Sequence, residues 1–133
     1  SGVGTLTALT YLWTIRDPKR FTKRRQVGAY VGLAAGSRAS GQRDPQMLIT
    51  KQGNPMLRRL LVQCAHHILA HPSCEGSLRS FGLRIAAQGG KRGKKRAVVA
   101  VARKLAVLLH HLWKTGEVYE QKLGAVTELK KAA

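Results

Sequence analysis

Carboxylates are scarce in this sequence. Its 133 residues contain 6 aspartates and glutamates against 24 lysines and arginines, which gives a formal net charge of +18. Only Asp17, Asp44 and Glu75 precede residue 117, and they lie far apart along the chain. A two-metal nuclease site needs several carboxylates that converge on ions about 4 Å apart. We therefore do not expect this chain to build such a site alone, and no serine–histidine–aspartate triad is evident.

Long hydrophobic runs and cysteines are also few. The longest uninterrupted apolar stretch, residues 97–102, is far shorter than the roughly 20 residues of a membrane-spanning helix. The first residues lack the charged and apolar regions of a signal peptide. Cys64 and Cys74 are the only cysteines, and we expect them to be free thiols in a reducing cytoplasm. No membrane partner is predicted.

The positive charge is the strongest compositional signal. Hydrophobic residues make up 44% of the chain, enough for the core of one domain covering residues 1–133. A net charge of +18 favours a polyanionic partner, and nucleic acid fits best. An anionic membrane surface is a weaker alternative, because no basic amphipathic helix with exposed aromatic residues is evident. A further interpretation of the charge is that the basic surface only keeps the protein soluble.

Apolar spacing and turn residues predict a mainly α, small helical domain. Asn54 and Pro55 form a typical helix start, with asparagine as the cap and proline in the first turn. Thr22 and Ser73 are further candidate caps. The predicted helices cover about 5–15, 22–33, 55–71, 74–88 and 97–114. Residues 34–45 are predicted to form a loop, with a short hairpin to about Thr50 as an option, and 117–133 a polar tail.

Cysteine and histidine are spaced in a way that raises the question of a metal site. Cys64, His67, His71 and Cys74 would share one stripe of an uninterrupted helix. Four ligands along one helix cannot close a tetrahedron around one ion, and Pro72 breaks the helix. We therefore predict no metal site in this chain. The neighbouring His110 and His111 are predicted to be surface or partner contacts.

Two basic clusters, residues 19–25 and 91–96, are predicted to contact phosphates. The second cluster is expected to be a loop, and Gly93 is expected to let this loop follow a nucleic-acid backbone. The turn around Gly2 and Gly4 resembles the hairpin of a helix-hairpin-helix module, in which amide groups hold a phosphate; the alternative is an ordinary glycine turn. The predicted nucleic-acid-binding residues are Gly2, Gly4, Arg20, Lys23, Arg24, Arg25, Arg38, Gly41, Arg43, Lys51, Arg58, Arg59, Lys91, Arg92, Lys94, Lys95 and Arg96.

A hydroxyl nucleophile is the remaining catalytic option. Ser40 precedes Gly41 in the predicted loop, and Arg38 and Arg43 would offset charge on a phosphate under attack. From residue types alone, a loop serine is more often structural, and Ser37 is almost as good a candidate.

The order of several motifs adds a resemblance that covers residues 1 to about 120. The motifs are Gly2-Val3-Gly4 with Leu6-Thr7-Ala8-Leu9, Asp17-Pro18 with Phe21, Arg25-Gln26 with Ala29-Tyr30 and Gly32-Leu33, Ser40-Gly41, Ile49-Thr50-Lys51, Gly53-Asn54-Pro55 with Leu57-Arg58 and Leu60-Leu61, and the basic segment before Ala97-Val98. Together they resemble the C-terminal transposase domain of the IS one-hundred-and-ten family of insertion sequences, in its IS eleven-eleven branch.

The resemblance implies a bacterial, cytoplasmic and nucleoid-associated transposase. Similar proteins pair this domain with an N-terminal RuvC-like domain, whose DEDD carboxylates hold magnesium, and they assemble as homo-oligomers. The family serine in a Ser-Gly step matches Ser40 and Gly41, and it is thought to form a covalent link to DNA. A non-coding bridge RNA guides such proteins to DNA. No cofactor is expected in this domain itself, and the isolated fragment is expected to be inactive.

Two other function classes stay open at this point. A non-enzymatic DNA- or RNA-binding module of the helix-hairpin-helix type would show the same charge. An oligomerisation domain would use the apolar faces of residues 56–69 and 98–112.

Overall fold

The domain is built from helices, as predicted. The computed structural model describes residues 3–33, 49, 51, 53–74 and 76–116. Most of the predicted loop and hairpin and the whole polar tail lie outside these residues. The described residues form α1 (Thr5–Ile15), α2 (Arg24–Tyr30), α3 (Pro55–Ala70), α4 (Ser77–Gln88) and α5 (Gly93–Thr115), with short 3₁₀ helices at Pro18–Arg20, Pro72–Cys74 and Gly90–Arg92.

Helix α5 lies at the centre of the domain. Helices α2, α3 and α4 all pack against it, and α1 packs against α3. Val101 on α5 and Leu57 and Leu61 on α3 are completely buried. Their burial follows from the spacing of apolar residues by three or four positions, which places them on one face of each helix. None of the described helices combines the length and apolar character needed to cross a membrane.

The helix start at Asn54 is confirmed in detail. The Asn54 side chain accepts hydrogen bonds from the amides of Met56 and Leu57, at 2.8 and 3.1 Å. Pro55 stands in the first turn, where its missing N–H removes no helical hydrogen bond. This cap satisfies two of the free amides at the start of α3.

Two other predicted helix starts were wrong by one or more residues. Helix α2 has Lys23 rather than Thr22 as its N-cap residue. The cause is Gln26, whose side-chain oxygen accepts hydrogen bonds from the amides of both residues at 3.0 and 2.9 Å. Helix α4 begins at Ser77 instead of near residue 74, because Pro72–Cys74 forms a separate 3₁₀ helix.

The predicted basic loop at residues 91–96 is also wrong, because this segment is helical. A 3₁₀ helix covers Gly90–Arg92, and α5 begins at Gly93. Gly93 is buried, and a Cβ atom there would overlap the carbonyl oxygen of Ala86 on α4. Its missing side chain therefore lets α4 and α5 approach each other and does not serve to mould a loop to a partner.

Replacing Gly93 with alanine is expected to destabilise the 133-residue chain. Alanine raises helix propensity by about 1 kcal/mol. The new methyl group meets backbone, which cannot rotate away, and overpacking of this kind costs about 3 kcal/mol. The net loss in the free energy of unfolding is about 2 kcal/mol, measured by urea denaturation. Ser80→Ala on the exposed side of α4 is the control, and it should change the free energy of unfolding by less than about 0.5 kcal/mol. A Gly93→Ala chain that is as stable as the control would contradict the packing role of Gly93.

His110 is buried, contrary to the prediction of a surface or partner contact. Its imidazole Nε2–H donates to the carbonyl oxygen of Pro18 at 2.6 Å. Its ring also meets the Phe21 ring edge-on, with 5.8 Å between centroids. His110 therefore joins the C-terminal part of α5 to the segment between α1 and α2.

The two faces predicted for oligomerisation are part of the core. Leu57, Leu61 and Ile68 on α3 are buried, as are Val101 and Leu105 on α5, so these side chains are not available to a second subunit. Large apolar side chains are exposed on α1 instead. These are Leu6, Leu9, Leu12 and, with 78% of its surface exposed, Trp13.

Tyr11 ties α1 to α5. Its hydroxyl donates to the carbonyl oxygen of Ala106 at 2.6 Å, and its side chain is buried. Burial penalises the charged phenolate and raises the pKa of Tyr11 well above its usual value.

The raised pKa of Tyr11 predicts a loss of stability at alkaline pH. A tyrosine with a higher pKa in the folded than in the unfolded state stabilises the fold fully below its unfolded pKa of about 10, and this contribution falls as the pH rises further. From pH 9 to pH 11 the chain should lose about 1.4 kcal/mol more than its Tyr11→Phe variant. Urea denaturation at both pH values measures this difference, and parallel losses in the two chains would contradict it.

Candidate nucleic-acid interface

Positive side chains dominate the described surface. Of the 24 lysines and arginines, all but Arg38, Arg43, Lys122, Lys130 and Lys131 are described. Asp17 is the single carboxylate in this part of the chain, and it accepts a hydrogen bond from the amide of Lys19 at 2.9 Å. Acidic side chains within the described residues therefore neutralise little of this positive charge.

The first basic cluster surrounds the start of α2. Lys23, Arg24 and Arg25 are exposed there. Their charges add to the positive end of the helix dipole, which makes this helix start unfavourable for cations and attractive to an anion.

Arg20 has a structural role within the same cluster. Its Nη1 donates to the carbonyl oxygen of Ile15 at 2.9 Å, at the C-terminal end of α1. Its guanidinium also lies above the Tyr30 ring, 4.8 Å from the centroid. These contacts hold Arg20 between α1 and α2, so its replacement would alter packing as well as charge.

The second basic cluster covers the 3₁₀ helix at Gly90–Arg92 and the first turn of α5. All five of its cations are exposed: Lys91, Arg92, Lys94, Lys95 and Arg96. No acidic residue occupies the first turn of α5. Each lysine or arginine near a helix N-terminus costs a few tenths of a kcal/mol or more at low salt, and a bound polyanion would offset that cost.

Arg103 is an exposed cation beside α2 that the sequence analysis does not single out. Its aliphatic stem lies across Gly28 of α2, so that a Cβ atom at Gly28 would stand 3.0 Å from Arg103 Cγ and 3.2 Å from Cδ. Arg103 follows Arg96 by seven residues, which is close to two helical turns and puts both on the same face of α5. This spacing indicates in the sequence that Arg96 and Arg103 share a face of α5, but it does not reveal which helix packs against that face.

The next residue, Lys104, faces the opposite flank of α5. Its Nζ lies 4.1 Å from the centre of the Phe81 ring on α4. Burial, followed by repulsion from Arg84, lowers the pKa of Lys104 below its usual value. Arg103 and Lys104 are therefore adjacent in sequence but belong to different surfaces.

Three further predicted contacts lie near the start of α3. Lys51 is exposed, adopts a left-handed backbone conformation with φ 57°, and donates its amide N–H to the Gly32 carbonyl at 3.1 Å. This bond holds residue 51 at the C-terminal end of α2, away from the first cluster. Arg59 is exposed in the first turns of α3, whereas Arg58 is half-buried and has contacts within the chain.

The N-terminal turn is described only in part. Gly4 is the exposed N-cap residue of α1 and has an extended backbone, with φ −85° and ψ 173°. A Cβ atom there would meet nothing within 4 Å, so packing inside the chain does not require glycine. Gly2 lies outside the described residues.

The candidate catalytic segment also lies outside the described residues. This applies to Ser40 and its neighbours Arg38, Gly41 and Arg43, and to the alternative nucleophile Ser37.

The cysteine and histidine set is divided between core and surface. Cys64 and Cys74 are buried, and Cys64 Sγ contacts Thr7 Oγ1 at 3.6 Å. His67 and His71 are exposed, with ring centroids 4.2 Å apart. Across the described ranges, no three histidine, cysteine, aspartate or glutamate side chains come together as metal ligands. With Asp17 as their single carboxylate, the described residues also do not fit a magnesium site.

Fold and charge together define a small helical domain with a polycationic surface. A family model described as "Transposase IS116/IS110/IS902 family" matches residues 1–79. The transposase of insertion sequence element IS1111A from Coxiella burnetii is 36% identical over 118 residues, which are 89% of this chain and 32% of that protein. The transposase of element IS1328 from Yersinia enterocolitica is 41% identical over 64 residues, 48% of this chain and 19% of that protein.

The chain belongs to the IS116/IS110/IS902 family of transposases, which confirms the resemblance found in the sequence. It spans about a third of the length of the Coxiella relative. No solved structure matches it.

Proposed function

We propose that this chain is the DNA-recombining domain of an insertion-sequence transposase, in which Ser40 attacks a DNA phosphodiester. Family membership is the observation that supports the activity most directly. The charge supports DNA as the partner, because exposed basic clusters at α2 and α5 suit a phosphate backbone.

The proposed reaction is a reversible exchange of phosphate esters. Ser40 Oγ forms a bond to phosphorus, the bond from phosphorus to one deoxyribose oxygen breaks, and the serine proton ends on that oxygen. Attack by a deoxyribose hydroxyl of a second strand reverses the exchange and releases Ser40. Arg38 and Arg43 offset the charge that develops on the phosphate oxygens. The number of ester bonds is unchanged, so no external energy source is needed.

The rest of the proposal concerns the longer protein. A magnesium-holding RuvC-like domain, a guide RNA and assembly into a homo-oligomer are proposed from the family alone. The helix-hairpin-helix role of Gly2 and Gly4 is likewise a proposal, supported by the exposed position of Gly4 at the start of α1. Because the described residues of this chain do not fit a magnesium site, we expect the isolated domain to be inactive in strand transfer.

Trapping a covalent protein–DNA adduct tests the proposal. A transposase of full family length that carries this chain is mixed with a DNA substrate containing its recombination site, denatured and digested. Mass spectrometry should then find a nucleotide attached to the peptide containing Ser40. A protein that binds the substrate but yields no adduct would instead be a non-enzymatic nucleic-acid-binding module.

A further inference from the structure

The contact between Gly28 and Arg103 joins the two basic clusters. Arg24 precedes Gly28 by one turn of α2, so both lie on the side of α2 that faces α5. On α5, Arg103 lies beside Gly28, and Arg96 lies about 10 Å further towards the N-terminus. Arg103 thus stands between the cluster at the start of α2 and the cluster at the start of α5.

The direction of the chain agrees with this order. The hydrogen bond from His110 to Pro18 places the segment before α2 beside the C-terminal part of α5. Gly28 then meets Arg103, seven residues nearer the N-terminus of α5. The chain from Pro18 to Gly28 therefore runs antiparallel to α5. Along the line where α2 meets α5, the α2–α5 seam, the order is Arg24, Arg103, Arg96.

The stem of Arg103 is supported where it crosses α2. Gly28 is buried and has no side chain, which leaves room for the Cγ and Cδ atoms of Arg103. Arg103 itself is exposed, so the guanidinium extends to the surface beyond this contact. A supported stem loses less conformational entropy when the guanidinium binds a ligand.

We propose that the α2–α5 seam binds one continuous nucleic-acid backbone and that Arg103 contacts a phosphate between the two clusters. This inference rests on the proposed nucleic-acid-binding function. The separation of about 10 Å between Arg96 and Arg103 corresponds to about three nucleotides, at roughly 3.4 Å per nucleotide along one strand. The recognised group is the phosphodiester, which DNA and RNA share.

The salt dependence of binding tests this role. Fluorescence anisotropy with a short labelled DNA duplex, and with a single-stranded RNA of equal length, gives the affinity of the 133-residue chain from about 50 to 200 mM salt. Arg103→Gln should make the slope of log affinity against log salt shallower by about 0.9 on the duplex or about 0.7 on the single strand. The probe that shows the loss identifies the backbone bound at the seam.

Two variants separate a phosphate contact from other roles of Arg103. Arg84→Gln removes the same charge from an exposed position on α4, on the other flank of α5, and should leave the slope unchanged. Arg103→Lys keeps the charge and should retain most of the slope. Urea denaturation of each variant checks that it is folded.

The outcomes distinguish this inference from the proposed function. If the unmodified chain shows no salt-dependent binding to either probe, nucleic-acid binding itself is refuted. If it shows a steep slope that Arg103→Gln leaves unchanged on both probes, or that Arg84→Gln reduces equally, only the role of Arg103 is refuted.

Discussion

Replacing Ser40 with alanine in a transposase of full family length is expected to abolish recombination while leaving nucleic-acid affinity unchanged. Alanine lacks the oxygen that the proposed exchange attaches to phosphorus. Attack by water in its place would hydrolyse the strand and leave no ester for rejoining. Loss of a nucleophile reduces rates on the order of a thousand-fold or more. An assay of donor and target joining measures the loss, and anisotropy with the same DNA measures binding.

Ser37→Ala is the matched control for this experiment. It removes an identical hydroxyl three residues away and should leave joining within a few-fold of the unmodified protein. Retained joining in the Ser40→Ala protein would refute the assignment. If Ser37→Ala instead abolishes both joining and the covalent adduct, Ser37 is the nucleophile.

Replacing His110 with alanine is expected to cause the largest loss of stability among the variants considered. The imidazole is buried, so its removal leaves a cavity beside Phe21. The carbonyl oxygen of Pro18 also loses its 2.6 Å hydrogen bond. Together these changes should lower the free energy of unfolding by about 3 kcal/mol, measured by urea denaturation.

A second variant separates the cavity from the hydrogen bond. His110→Phe keeps most of the ring volume and loses only the donor to Pro18, so it should cost about 1–2 kcal/mol. His66→Ala on the exposed side of α3 is the control, and its effect should stay below about 0.5 kcal/mol. A His110→Ala chain as stable as the His66→Ala chain would show that the buried imidazole does not hold the two segments together.

The sequence by itself determined the features that depend on near neighbours or on composition. The cap at Asn54 acts on amides two and three residues away, so local residue types were sufficient to predict it. Charge pointed to a polyanionic partner, and the order of motifs identified the family. Local signals failed where two competed, as at the start of α2, where the side chain of Gln26 settled the boundary.

Only the tertiary structure decided which side of each helix meets which neighbour. The bond from His110 to Pro18 spans 92 positions, and the bond from Tyr11 to Ala106 spans 95. No periodicity within one helix specifies such a partner, because periodicity gives the direction of a face and not what covers it. For that reason the order of residues does not reveal that Gly93 packs against α4, that His110 is buried, or that Arg103 lies beside α2.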